Sequence, residues 1–155
     1  MKIVIGIDVG ISTTKIIGIN EEGRVLSPIR IKATDPVTSL YGAFGKYLYD
    51  NKIQLGDVEK VMLTGVGAAY IDKAVYGLPT GKSEEFIANG LGARYETGLE
   101  RMMVVSMGTG TSIVKCDHDE ILHLGGIGIG GGTLQGLSRL LLNTDDIKQV
   151  ATLAE

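Results

Sequence analysis

The chain has 155 residues, a formal net charge of −3 and 44% apolar residues, a composition that supports a hydrophobic core and argues against disorder. The negative charge argues against nucleic acid as the main partner. The chain has a single cysteine, Cys116, which excludes internal disulfides and all-cysteine metal sites within the chain. This cysteine content predicts that the protein is located in the reducing cytoplasm. Since no apolar run reaches the roughly 18 residues that span a bilayer, we expect no membrane partner.

The first quarter of the chain predicts three strands and then a helix. Residues 2–7 are β-branched and apolar, which indicates a buried strand and not a signal peptide. Residues 14–20 and 24–32 predict the next two strands of a meander. Asp35 is predicted to cap a helix whose first residue is Pro36. The predicted apolar face of this helix contains Val37, Leu40, Phe44 and Leu48.

The middle of the chain predicts one further strand and two helices. Residues 58–65 predict a short strand that ends at a Thr-Gly turn, and residues 68–77 predict a short helix. Residues 82–96 predict a longer helix with Ser83 as its N-cap and acidic residues in its first turn.

The pattern of strand, glycine turn and strand then begins again. Residues 101–116 predict two strands around a turn, and residues 120–128 predict a third. An apolar run at 133–142 and a capped segment at 144–155 predict two helices. This repetition predicts an α/β fold with two related lobes, each with a turn facing a shared ligand. The lobes would be residues 1–100 and residues 101–155, the second being incomplete.

The turn at residues 8–15 has the composition of a phosphate site. Gly10 lets a ligand approach the backbone, and Ser12 and Thr13 add hydroxyl groups. Asp8 is a candidate ligand of Mg²⁺, directly or through water, and Lys15 is a candidate partner of phosphate charge. An ordinary hairpin turn remains an equal alternative for this segment taken alone.

Two later glycine segments have related chemistry. The turn Gly108, Thr109, Gly110, Thr111, Ser112 repeats the glycine and hydroxyl pattern without the acid. Residues 125–132 contain six glycines directly before a predicted helix, whose N-terminus favours anions. A loop that serves only close packing of helix and strand is the alternative here. Together the three segments predict phosphoryl transfer, which needs phosphate cradles, a metal and a base.

The remaining reactive side chains do not identify the general base of this reaction. Glu84 and Glu85 are candidates, but acids also favour the first turn of a helix for electrostatic reasons alone. His118 and His123 permit a metal site, although a polar hairpin turn at residues 117–120 is the favoured interpretation. Cys116 is interpreted as structural.

Four segments together resemble the bacterial type II pantothenate kinases, within the acetate kinase, sugar kinase, Hsp70 and actin superfamily. They are residues 6–15 (GIDVGISTTK), 83–95 (SEEFIANGLGARY), 106–113 (SMGTGTSI) and 124–137 (LGGIGIGGGTLQGL). The resemblance covers essentially the whole chain and implies lobes of the ribonuclease H type. It implies transfer of the γ-phosphoryl group of ATP to the 4′-hydroxyl of pantothenate, with Mg²⁺, by a homodimer.

The resemblance also implies a role for each matching residue. Glu85 would be the general base, with Glu84 as an alternative, and Asp8 and Lys15 would act on the metal and the transferred phosphate. Residues implied in nucleotide and phosphate binding are Gly10, Ser12, Thr13, Gly108, Thr109, Gly110, Thr111, Gly130, Gly131, Gly132 and Gln135. Residues implied on the pantothenate side are Glu85, Ser112, His123 and Gly126.

The chain departs from the family in composition and length. His123 stands where better-studied members have an arginine, and members run about a hundred residues longer. Two other functions therefore stay open. One is an ATPase activator of the 2-hydroxyacyl-CoA dehydratase or benzoyl-CoA reductase type, although these proteins use a cysteine-ligated cluster and this chain has one cysteine. The other is a nucleotide-binding fragment without activity.

Overall fold

The computed structural model describes residues 2–32 and 35–155, in two compact units. The first unit is Met1–Glu85 and the second is Phe86–Glu155. The first unit is a mixed sheet with one long helix, and the second is an antiparallel sheet with helices. The predicted α/β class is confirmed, while the predicted lobe boundary between residues 100 and 101 stays a prediction.

The sheet of the first unit has five strands. They are β1 (Ile3–Val9), β2 (Thr13–Asn20), β3 (Ile29–Lys32), β4 (Val58–Thr64) and β5 (Thr80–Lys82). Their order is β3-β2-β1-β4-β5, and β2 pairs antiparallel with both β1 and β3, as the predicted meander requires. The chain then crosses over through a helix, so β4 lies parallel to β1, and β5 parallel to β4. The strand β5 was not predicted.

Helix α1 (Pro36–Asn51) begins as the sequence predicts. The N–H of Thr38 donates to Oδ1 of Asp35 at 2.7 Å, and this bond holds the pKa of the Asp35 carboxyl below its usual value. Leu40 and Phe44 are fully buried against the sheet, and Leu48 packs at the edge of the core. Val37, at the start of the same helix, is 40% exposed and lines a cavity at the surface.

The predicted helix at residues 68–77 is wrong. The segment contains two short 3₁₀ turns, Val66–Tyr70 and Val75–Gly77. The N–H of Val75 donates to Oγ1 of Thr80 at 3.0 Å and not to a helical carbonyl, and Tyr76 takes the left-handed conformation with φ 50°. These local bonds compete with a continuous helix.

The second unit contains most of α2 (Glu85–Thr97) and a three-stranded sheet. Its other elements are β6 (Arg101–Met107), β7 (Thr111–Asp117), β8 (Glu120–Ile127), α3 (Gly131–Leu142) and α4 (Ile147–Leu153). The antiparallel order β6-β7-β8 confirms the second predicted meander. Since α2 begins at Glu85, Ser83 lies two residues before it and does not directly precede it. Its hydroxyl donates to the Glu84 carbonyl at 3.4 Å.

The two units differ in how much apolar surface they bury. The core of the first unit is continuous and is built from β1, β2, β4 and α1. In the second unit Val114 and the free thiol of Cys116 are buried, but apolar residues of β6, β8 and α3 stay exposed. Within the described residues, every helix is too short or too polar to cross a bilayer.

Candidate functional site

An ion pair holds the first predicted phosphate turn. Asp8 near the end of β1 faces Lys15 of β2, and Nζ of Lys15 lies 2.6 Å from Oδ2 of Asp8. The Lys15 side chain is 51% exposed and that of Asp8 is 23% exposed. Exposed pairs of this kind contribute about 0–1 kcal/mol. Lys15 can therefore exchange the carboxylate for a phosphate oxygen at little cost.

The backbone between these strands turns tightly at Gly10. The N–H of Gly10 donates to the carbonyl of Thr13 at 3.1 Å, and a Cβ on Gly10 would lie 2.6 Å from that oxygen. Ser12 is exposed at the tip, whereas Thr13 is half-buried at the start of β2. The structure therefore brings the five predicted residues of the first motif to one hairpin.

Thr64 and Gly65 belong to the same end of the sheet and were missed as site residues. Because β4 runs parallel to β1, Thr64 is the register partner of Asp8. Gly65 has φ 86°, and a Cβ there would overlap Oδ1 of Asp8 and lie 2.7 Å from the Val9 carbonyl. Oγ1 of Thr64 is buried without a hydrogen-bond partner in the described structure. The Thr-Gly turn was the signal, but sequence alone did not place it beside Asp8.

Asp8 fits Mg²⁺ only if the nucleotide supplies further ligands. Across residues 2–32 and 35–155, no three histidine, cysteine, aspartate or glutamate side chains form a cluster that would hold a metal. Mg²⁺ is commonly bound by one or two carboxylates together with substrate phosphates. A single, partly exposed carboxylate matches that arrangement once Lys15 has moved to a phosphate oxygen.

In the second unit the two predicted glycine segments lie against each other. The N–H of Gly131 donates to the Gly108 carbonyl at 2.8 Å, and the N–H of Gly132 donates to the Thr109 carbonyl at 3.0 Å. The hydroxyl of Thr111 donates to the Ile129 carbonyl at 2.8 Å. Hydrogen bonds between backbone groups therefore join the turn before β7 to the N-terminus of α3.

Close packing accounts for several of these glycines. A Cβ on Gly130 would lie 2.7 Å from the Thr109 carbonyl oxygen, and one on Gly132 would lie 2.7 Å from Cγ2 of Thr109. The first amides of α3 already have carbonyl partners. A phosphate at Gly131 or Gly132 would have to replace those carbonyls, so phosphate binding there stays a prediction.

We expect Gly130→Ala to destabilise the second unit by about 1–3 kcal/mol, because its methyl group overlaps the backbone of Thr109 and Gly110. The matched control is Gly128→Ala in the same loop, where a Cβ meets nothing within 4 Å, and we expect a change within about 0.5 kcal/mol. Urea unfolding of both variants measures the difference. Equal losses would show that packing is not what requires glycine at residue 130.

The residues predicted on the pantothenate side lie along β7, β8 and α2. Ser112 and Gly126 are register partners, and a Cβ on Gly126 would lie 2.5 Å from the Thr111 carbonyl. His123 stacks on Phe86, with ring centroids 5.3 Å apart and an angle of 17° between the planes. Glu85 is exposed and is the first residue of α2.

Gln135 has a partner other than a nucleotide in this structure. Its Nε2 donates to the carbonyl of Asp145 at 3.3 Å, which links α3 to the loop before α4. The predicted nucleotide contact of Gln135 would require this long, exposed bond to open. That contact stays a prediction.

Known proteins match both the sequence and the fold. A family model described as Fumble matches residues 96–155. A type II pantothenate kinase of Bacillus anthracis is 31% identical over 163 aligned positions, which cover all of this chain and 55% of the relative. The chain spans about half the length of the curated relatives that it matches over its full length.

Two solved structures illustrate the shared fold. The activator of the 2-hydroxyisocaproyl-CoA dehydratase from Clostridium difficile, with bound ADPNP, has a TM-score of 0.73 at 16% identity and covers 92% of this chain and 53% of its own. A ROK family glucokinase from Streptomyces griseus, in complex with glucose and AMPPNP, has a TM-score of 0.55 at 18% identity, with coverages of 84% and 49%. These likenesses show the fold alone. The sequence matches show that the chain is similar to type II pantothenate kinases, and the structural matches show that it shares the fold of these two solved proteins.

Proposed function

We propose that this chain contributes the phosphate-binding part of a kinase that phosphorylates pantothenate, the first step towards coenzyme A. The observation that carries the proposal is the Asp8–Lys15 pair in the tight turn of the first motif. It places one carboxylate near the end of the buried strand β1 and one exposed lysine beside it on β2. Similarity to pantothenate kinases along the whole chain supports the choice of substrate.

Each group has a role in this reaction. The 4′-hydroxyl oxygen of pantothenate attacks the γ-phosphorus of ATP, its proton passes to the Glu85 carboxylate, and the bond to the bridging oxygen breaks to release ADP. Lys15 neutralises phosphate charge as that bond breaks. If Asp8 and the phosphates of ATP bind Mg²⁺, the charge of the ion would offset the negative charge of the phosphates.

The glycine turns and the strand residues would bind the two substrates. We assign Gly10, Ser12 and Thr13 to the γ-phosphate end, and the turn at residues 108–111 with the loop at 130–132 to the nucleotide. Ser112 and Gly126 are assigned to pantothenate. We also infer a homodimer in the cytoplasm, in line with the free, buried thiol of Cys116.

An ATPase activator is the second candidate function, because such a protein has the higher TM-score of the two structures described. A cluster bridging two subunits needs accessible cysteine thiolates. Cys116 is 1% exposed and is the one cysteine of this chain, which favours the kinase. An iron–sulfur absorbance after anaerobic purification would reverse that choice.

The experiment measures ATP binding and phosphate transfer on the same preparation. Calorimetry with ATP and Mg²⁺ reports binding, and labelled ATP with pantothenate reports transfer. We expect both signals. Binding without transfer would assign a nucleotide-binding fragment, and the absence of both would overturn the proposal.

A further inference from the structure

The ring stack between Phe86 and His123 joins the start of α2 to β8. Phe86 is the second residue of α2, and His123 pairs in register with Val114 of β7. Phe86 is half-buried and His123 is exposed, so their contact lies at the surface of the second unit. Face-to-face aromatic pairs of this kind stabilise the segments that they join.

The start of α2 depends on contacts outside the helix for its order. The first N–H groups of a helix have no partner within it, and the hydroxyl of Ser83, two residues before α2, donates to the Glu84 carbonyl at 3.4 Å. Gly90 and Gly92 also reduce the intrinsic stability of this helix. The stack on Phe86, one residue after Glu85, is a tertiary contact that helps to hold this first turn.

We propose that His123 is a positioning residue, which fixes the Glu85 carboxylate by stacking on Phe86 and not by contacting pantothenate. This inference rests on the proposed function of Glu85 as the base. It replaces the substrate contact that the family resemblance implies for residue 123. The stack engages the face of the imidazole, at a centroid distance of 5.3 Å, and so ties β8 to the first turn of α2.

Nuclear magnetic resonance of the 155-residue chain tests the stack without requiring activity. The chain has two histidines, so His118, at the β7–β8 turn, is an internal control. We expect Phe86→Leu to shift the ring signals of His123 and leave those of His118 in place. We expect His123→Leu to lower the backbone order parameters of Glu85 and Phe86, and His123→Phe to preserve them. An unchanged order parameter at Glu85 in His123→Leu would overturn the proposal.

Steady-state kinetics of the same variants separates positioning from substrate binding. We expect His123→Leu to lower kcat about three- to tenfold with an unchanged KM for pantothenate, and His123→Phe to restore kcat. The control is His118→Asn, because asparagine tolerates the φ of 51° at that turn. A raised KM with an unchanged kcat, not rescued by phenylalanine, would return His123 to the substrate. If the parent chain transfers no phosphate, the proposed function fails, while the order parameters still decide whether His123 holds Glu85.

Discussion

Glu85→Gln is expected to lower phosphate transfer to pantothenate about 10²- to 10⁴-fold, the usual contribution of a general base. The amide has the same size as the carboxylate but accepts no proton from the attacking hydroxyl. ATP binding should be unchanged, because Glu85 is assigned to the acceptor substrate. Transfer from labelled ATP gives kcat, and calorimetry gives the affinity for ATP.

Glu84→Gln is the matched control for this prediction. Glu84 is the adjacent residue, is also exposed, and lies directly before α2. If Glu85 is the base, the Glu84 variant keeps transfer within a few-fold of the parent chain. If the two acids only stabilise the helix through its dipole, both variants change the stability of the protein slightly and both keep phosphate transfer. A loss confined to Glu84→Gln would move the base to that residue.

Gly65→Ala is expected to destabilise the first unit by about 2–6 kcal/mol, the sum of backbone strain and overpacking. Gly65 has φ 86°, a backbone conformation that is strained for any residue with a Cβ. The methyl group would also overlap the Asp8 carboxylate and approach the Val9 backbone to 2.7 Å. Denaturant unfolding measures the loss, and displacement of Asp8 should weaken ATP binding in the same variant.

Gly77→Ala isolates the strain from the overlap. Gly77 lies in the same unit with φ 75°, but a Cβ there meets nothing within 4 Å. We expect this variant to lose about 1–3 kcal/mol and to keep its affinity for ATP. Equal effects of the two substitutions would show that the space beside Asp8 is not what requires glycine at residue 65.

Local patterns predicted most of the elements correctly. The buried strand at residues 2–7, the cap at Asp35 and both meanders follow from side-chain periodicity and turn residues that act over a few positions. The segment at 68–77 was mispredicted because its helical composition competes with a local side-chain bond, from the Val75 N–H to Oγ1 of Thr80, five residues along the chain.

The candidate site was predictable in its parts and not in their arrangement. The glycine segments were identified from composition, but composition does not distinguish an amide that faces a ligand from one that faces a carbonyl. The N–H groups of Gly131 and Gly132 face carbonyls of the preceding turn. Thr64 and Gly65 lie beside Asp8 because a crossover connection makes β4 parallel to β1, which is a property of topology.

The ladder between β7 and β8 contains an irregularity that limits how this region can change. Ile113 pairs with Gly125 and Val114 pairs with His123, so Leu124 is an extra residue on β8. Deleting Leu124 would remove this bulge and with it the local bend and extra twist that the bulge gives to β8. Insertions and deletions between homologues should therefore concentrate at the hairpin of residues 118–119. The stretch from His123 to Gly126 should keep its length even where its residues vary.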